Sequence, residues 1–368
     1  MDANQINPFN HIKALSFAKR FDGIINDHYY PPVVVNLDVT GKCQYACGHC
    51  HHRSKQIKLH QMPDLDPTLA RTFPHFMKSW EEDGEHPVAC CIVGSKGDAL
   101  LYPQLPDLLR NLHFAGIDIG LVSNGYGLTP KLADYAVHYC KFYGVSVDAG
   151  TAEAYKRVHN CPNDGWLQMN KNTMDAVLRA EEMGSSCDIG WKFLILPQSY
   201  DTLYEGCRVA KELGIRWVQI RPADLPEDER RTIDINVVNE QVARAVSDFN
   251  EPGIFEVVNI KNKFTPDLKK ILPAYCYMTP LTVTITSDAL AWACVDRRCD
   301  APTLLADCKK SWQALKDVWG TDKHIRIVKD VINRGGQGPD CNIRCSSYCY
   351  DELFRLFFLR DNFDRTLI

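Results

Sequence analysis

The stretch Val33-Val34-Val35-Asn36-Leu37-Asp38-Val39-Thr40-Gly41-Lys42-Cys43-Gln44-Tyr45-Ala46-Cys47-Gly48-His49-Cys50 sets three cysteines within eight residues, directly after a β-branched, apolar run. The run reads as a strand. Three thiolates in one tight loop suit a [4Fe–4S] cube, because a short turn holds three corners and leaves the fourth iron open to a ligand. Structural zinc ordinarily closes with four ligands in paired Cys-x2-Cys spacings, and here only His49, His51 or His52 is placed to be a fourth.

Outward from this loop, short β-rich runs alternate with amphipathic stretches from residue 33 to about 224, the rhythm of a parallel sheet. Strands are expected to start near Val33, Val88, Ile117, Gly144, Asp188 and Ile215. Helices are expected over Pro106 to Ala115, Pro130 to Cys140, Asn170 to Met183 and Thr202 to Leu213, with Gly116, Gly184 and Gly214 as C-terminal stops. Six βα units are too few to close an eight-stranded barrel. The expected α/β form is an open partial barrel or a doubly wound sheet, and both place ligands at the C-terminal ends of the strands. Ala223 to Asp234, with Pro226 inside it, reads as a surface connection before a helix over Val237 to Phe249. Past Lys261 the rhythm stops, and Leu281 to Ala293 reads as a hairpin turning at Ser287 and Asp288. The expected division is an N-terminal extension over 1–32, an α/β unit over 33–260 and a cysteine-rich unit over 261–368.

The 368 residues are 24% charged and 45% hydrophobic, which excludes a disordered, collagenous or coiled-coil chain. A net charge of −4 gives no long-range pull toward nucleic acid or an anionic membrane, so a nucleic-acid partner is possible but not indicated by charge. No apolar run approaches the roughly 18 residues of a membrane span, and the start has no signal-peptide pattern. The expectation is a cytoplasmic protein with no membrane partner. In such a reducing compartment, the clustered members of its 16 cysteines are more apt to hold metal than to form disulfides. The scattered group Cys90, Cys91, Cys140, Cys161, Cys187 and Cys207 reads as packing, since free cysteine behaves as a small hydrophobe.

Cys43-x3-Cys47-x2-Cys50 after the first strand of a βα series resembles the radical S-adenosylmethionine (SAM) enzymes. The resemblance implies a partial (β/α)6 TIM-like barrel in which the open iron chelates the amino and carboxylate groups of SAM. Reduction then cleaves the sulfonium to a 5′-deoxyadenosyl radical that takes hydrogen from carbon. Gly94-Ser-Lys-Gly97-Asp98-Ala99 lies where that family has a Gly-Gly-Glu-Pro segment, so Gly97 and Asp98 are implied contacts of the SAM ammonium; Asp98 replaces Glu and Ala99 replaces Pro. Ser123 and Asn124 at the third strand end and Ser146 at the fourth are implied cofactor contacts as well. Arg221 at the sixth is implied for adenine or ribose, and His49 takes the place of an aromatic that packs on adenine. Read on their own, Ser-Asn-Gly and the Gly-rich segment are turns. Lys192, inside the fifth strand, points to the same mouth or is a solvated end.

Cys276 stands before the hairpin, Cys294 ends it, and Cys341-x3-Cys345-x3-Cys349 follows. This resembles the auxiliary-cluster extension of radical SAM enzymes, in its one-cluster "twitch" or two-cluster "SPASM" form, and implies a small α+β unit. Its expected [4Fe–4S] ligands are Cys276, Cys294, Cys345 and either Cys341 or Cys349; Cys299 and Cys308 are candidates for a second cluster, though seven late cysteines are one short of eight thiolates. Four thiolates also suit structural zinc. Ala289 stands where the extension usually has Gly.

The function implied is hydrogen abstraction leading to dehydrogenation, epimerisation, rearrangement or elimination, with an external electron donor such as flavodoxin or ferredoxin. A small substrate, namely a sugar, aminocyclitol, amino acid or nucleoside derivative, is favoured because only about 32 residues precede the first strand. A peptide is the second reading and a nucleobase, free or in nucleic acid, the third. The reading from another class is a non-catalytic iron–sulfur carrier or a zinc-stabilised binding module, against which the size of the α/β scaffold speaks. Tyr30, Trp191 and Tyr348 read as packing aromatics.

Overall fold

The computed structural model describes residues 11–50, 62–93, 97–223, 225–259 and 276–333, together with Phe354. Seven parallel strands run in chain order: β1 (Val34–Leu37), β2 (Ala89–Val93), β3 (Asp118–Ser123), β4 (Phe142–Ser146), β5 (Asp188–Ile195), β6 (Trp217–Pro222) and β7 (Glu256–Asn259). β8 (Thr282–Ile285), β9 (Leu290–Trp292) and β10 (Leu304–Asp307) complete one ten-stranded sheet in the order β10-β9-β8-β1-β2-β3-β4-β5-β6-β7. β7 adds a seventh parallel strand to the six expected. The hairpin of β8 and β9 builds no sheet of its own: β8 pairs parallel with β1 from Val34↔Thr282 to Leu37↔Ile285.

Helices over Leu105–Phe114, Pro130–Tyr139, Gly165–Glu182, Leu203–Glu212 and Ile235–Phe249 lie in the connections, close to their expected spans. Gly116, Gly184 and Gly214 stand at φ of +79°, +58° and +74°, the left-handed geometry that ends a helix. The helix over Gly165–Glu182 begins five residues before the expected Asn170. Asn170 and Asn172 break the apolar period, yet Asn172 Nδ2 is inside, donating to the Gly125 and Tyr126 carbonyls at 2.9 and 2.8 Å. Between β1 and β2 a further helix, Pro67–Ser79, is capped by Asp66, whose Oδ1 accepts from Thr68 and Leu69 N–H. No helix among the described residues is long and apolar enough to cross a membrane.

Strand alternation separates two faces. Val35, Leu37, Cys90, Ile92, Ile119, Leu121, Tyr143, Val145, Ile189, Trp191, Phe193, Val218 and Ile220 face the helices in the main core. Each large side chain so buried contributes about 1.5–3 kcal/mol. Cys90, Cys140, Cys187 and Cys207 are buried there as expected, and Trp191 is packing. Cys91, one residue on from Cys90, faces the other way with Phe142, Ser146, Lys192, Trp217, Gln219 and Arg221. In the partial-barrel form of the sheet this second face, turned away from the helices, is the concave one.

Candidate active site

The triad loop leaves the C-terminal end of β1 and is pinned from below. Thr40 Oγ1 donates to Asp64 Oδ1 at 2.6 Å, and Lys42 Nζ pairs with Asp64 Oδ2 at 2.7 Å. The loop after β2 lies directly against it: Asp98 N–H donates to Lys42 O at 2.7 Å, and a Cβ on Gly97 would stand 2.4 Å from Thr40 O and 2.5 Å from Lys42 O. Only glycine allows that approach.

Asp98 is buried at this junction. Oδ1 accepts from Leu100 N–H at 3.0 Å, while Oδ2 accepts from Asn124 N–H at 3.2 Å and from Gln44 Nε2 at 3.4 Å. Burial pushes its carboxyl up to about 6, against these hydrogen bonds, which favour the anion. Asn124 Oδ1 accepts from Gln44 Nε2 at 2.9 Å, and its Nδ2 points to Cys43 Sγ at 3.8 Å. Gln44 Oε1 is buried with no partner among the described residues. It is an acceptor beside a carboxylate, the pairing that suits an ammonium group.

Tyr45 N–H points to Cys43 Sγ at 3.4 Å. His159 Nε2 donates to Val147 O at 2.7 Å, which leaves Nδ1 as an acceptor 3.1 Å from the Cys47 thiol. Burial pushes the Cys43 thiol up to about 11, aided by Asp98 and Cys50, and raises Cys47 further, with Cys50 and Cys43 adding to it. A positive centre among them is what would make them thiolates. Burial also lowers His159 to about 4. Among the described residues, no three His, Cys, Asp or Glu side chains stand as a group that already holds a metal geometry. The fit to an iron–sulfur cube therefore rests on the donor set: three soft thiols on one loop, with the Tyr45 N–H and Asn124 Nδ2 aimed at Cys43.

His49 Nε2 is 3.3 Å from Asp148 Oδ2, just past the end of β4. Burial works to raise the Asp148 carboxyl, but the hydrogen bond and charge of His49, the nearby His159 and Leu194 N–H at 2.7 Å outweigh it and hold the carboxyl below its usual range. Asp148 adopts φ +56° there, with Ser199 Oγ donating to its carbonyl at 2.6 Å.

The expected cofactor residues are thus distributed unevenly. Gly97, Asp98 and Asn124 adjoin the triad, and His49 is tied to the end of β4. Ser146 is paired in register with Lys192 on the concave face, where Arg221 also acts on Lys192. Ser123 faces the packed side instead: its Oγ bonds Tyr143 OH at 2.7 Å and accepts Gly125 N–H. Gln44, His159 and Asp148 were not in the expected site set. Gln44 was signalled by its place inside the triad loop, whereas nothing local marked His159, the last residue of the helix Ala152–His159.

Of the late cysteines, Cys276 is half-buried with Sγ 3.2 Å from Thr279 Oγ1, and Cys294 follows β9, half-buried against the main core. Cys299 is half-buried at φ +66°. Cys308 is a core residue whose thiol burial pushes up to about 12. Cys341, Cys345, Cys349, Tyr348, His51, His52 and Gly94 lie outside the described residues.

No protein-family model and no curated protein matches the sequence. Solved structures do. The chain is similar to Streptococcus suis SuiB bound to precursor peptide SuiA, with a TM-score of 0.62 and 14% identity over 87% of this chain and 72% of that one. It is similar to SuiB bound to S-adenosylmethionine at 0.60 and 15% over 84% and 71%, and to anSMEcpe with bound AdoMet at 0.56 and 12% over 88% and 96%. At these identities the likeness is one of fold alone: the chain shares the partial-barrel α/β fold of these structures, with β8 to β10 joined to the same sheet.

Proposed function

We propose that this chain is a cytoplasmic radical SAM enzyme. The observation that carries the reading is the triad loop itself, fixed at the C-terminal edge of a curled parallel sheet, with Gly97, Asp98, Gln44 and Asn124 packed beside its thiols. Cys43, Cys47 and Cys50 would hold a [4Fe–4S] cluster. Asp98 and the Gln44 Oε1 acceptor would receive the SAM ammonium, with His49, Ser146 and Arg221 along the cofactor toward β6. Such a cluster and SAM supply, on reduction by a flavodoxin or ferredoxin, the 5′-deoxyadenosyl radical that abstracts hydrogen from carbon. The chain's own part is positioning and shelter. Trp217 and Phe142 lay an apolar floor on the concave face, their ring centroids 6.5 Å apart. Cys276, Cys294, Cys345 and either Cys341 or Cys349 would hold an auxiliary cluster.

A small molecule is the substrate favoured by this reading. A peptide is the second, supported by the likeness to SuiB with its precursor peptide and to anSMEcpe with bound AdoMet and Kp18Cys peptide, the latter at a TM-score of 0.54.

The test is anaerobic reconstitution with iron and sulfide, comparing wild type with a Cys43→Ala/Cys47→Ala/Cys50→Ala variant. The expected result is about eight irons falling to about four, with dithionite-driven formation of 5′-deoxyadenosine lost. Zinc in place of iron, or a fully loaded wild type that leaves SAM intact, would overturn the enzyme and leave a carrier or a metal-stabilised binding module. A peptide that raises the cleavage rate where small molecules do not would decide for the second substrate class.

A further inference from the structure

Lys192 is the least expected group on the concave face. It lies in the middle of β5, enclosed by protein yet still touched by solvent, as a side chain does when it points into a space open at one end. Three glycines make its surroundings. A Cβ at Gly144 would stand 2.8 Å from Lys192 Cε, while Cβ atoms at Gly120 and Gly190 would stand 2.3 and 2.1 Å from the rings of Phe142 and Trp217. With the glycines in place, each ring passes close over the neighbouring strand, and the ammonium sits 5.8 Å from the centroid of each. Aromatic faces attract a cation at this range but take no hydrogen bond of ordinary strength from it.

The ammonium has three N–H donors, and its one polar contact among the described residues is Gln219 Oε1 at 3.4 Å. No carboxylate among the described residues forms an ion pair with it. Asp148, the nearest acid to act on it, has its two oxygens engaged by Leu194 N–H and His49. The other charged or titratable groups facing Lys192 are Arg221, which opposes its charge, and the Cys91 thiol, which Asp38 and Arg221 also reach. An ammonium with donors left open among the described residues therefore lies in a space of low dielectric over an apolar floor, an arrangement that an oxyanion relieves.

We propose that the concave face binds the substrate by an anionic oxyacid group, a carboxylate or a phosphate, which accepts hydrogen bonds from Lys192. This rests on the radical SAM reading and narrows it: the substrate, small molecule or peptide, presents its negative group downward to β5, beneath the level of the triad. Burial, with the Arg221 charge, brings Lys192 down to about 8, so the anion also restores an ammonium that would otherwise be half neutral near that pH.

The experiment is reductive methylation of the reconstituted wild-type enzyme at pH 8 under saturating SAM, read at Lys192 by peptide mass spectrometry with exposed Lys131 and Lys310 as internal standards. Inorganic phosphate and acetate are the probes and chloride of equal ionic strength the control. An anion that raises the amine by one to two units lowers its neutral fraction, and with it the labelling, by about 5- to 50-fold. Slowing by phosphate alone assigns a phosphate group, by acetate alone a carboxylate, and by both the shared chemistry. Labelling unchanged by either anion overturns the proposal. So does protection by SAM alone to which neither anion adds, because the ammonium then belongs to the cofactor's own carboxylate. The labelling needs no turnover: protection without SAM cleavage keeps the oxyanion site and removes the radical enzyme, and cleavage without protection does the reverse.

Discussion

His324 illustrates what a single buried base does to the molecule. Its Nδ1 accepts Gly320 N–H at 3.2 Å, which fixes the remaining proton on Nε2, and Nε2 is buried without a partner among the described residues. The Trp319 and Tyr29 rings enclose it at 4.1 and 5.4 Å, and burial lowers the imidazole to about 3. An unfolded histidine titrates near 6.5. Between these values the unfolded chain holds a proton that the folded chain refuses, so stability falls as pH falls through that window. From pH 7 to pH 5 the loss from this residue is about 2 kcal/mol. In His324→Asn, which keeps an acceptor for Gly320, urea unfolding should show lower stability at pH 7 but a pH profile flatter by that amount; parallel profiles would refute the assignment. Legibility at this scale followed locality. The three triad thiols, Gly97 and Asp98 stood out because their motif is contiguous. Ala289, flagged as replacing a usual glycine, does adopt φ +60°. His159 and the partners of Lys192 come from distant strands and helices, and no spacing in the sequence announces such meetings.

Elements show why the concave face has its shape. Gly120 pairs in register with Phe142, and Gly190 with Trp217, so each glycine lies directly beside the ring that covers it. In Gly190→Ala the new methyl meets the Trp217 ring, a buried, stiff neighbour that cannot swing aside as the end of a lysine can. Overpacking of this kind costs about 1–3 kcal/mol. The expected outcome is that loss in chemical denaturation, with Gly190→Ala/Trp217→Leu less destabilised than the sum of its single changes. Strict additivity would show that the ring is not what the glycine accommodates. The strands themselves were legible from alternation and the helices from their period and glycine stops. β7 was not, because polar Glu256 and Asn259 leave it only Val257 and Val258 as an apolar signal. The parallel pairing of β8 with β1 was not legible either, since residues some 248 apart in sequence meet there, Val34 opposite Thr282.

At the scale of the molecule, that pairing joins the cysteine-rich segment to the barrel as one body. Trp312 Nε1 donates to Leu69 O at 2.9 Å, Trp319 Nε1 to the Tyr29 and Tyr30 carbonyls at 3.0 and 2.9 Å, and buried Arg298 lies 3.8 Å from buried Asp38 past the end of β1. A second apolar cluster draws Ala14, Phe21, Ile24 and Tyr29 from before the first strand together with Leu281, Val328, Ile332 and Phe354. Phe21, fully buried, packs on Phe354 with centroids 5.1 Å apart. A cluster built from both ends of the chain stabilises β1 and β8 alike, because each strand is an edge without the other. Phe21→Ala removes about 3–5 kcal/mol from that cluster. Hydrogen exchange should then quicken at least about 100-fold, by the same factor in the β1 peptide at Val34–Leu37 and the β8 peptide at Thr282–Ile285. If exchange rises in β8 and leaves β1 protected, the cysteine-rich segment opens as a unit of its own and the sheet is continuous in geometry without being one cooperative structure.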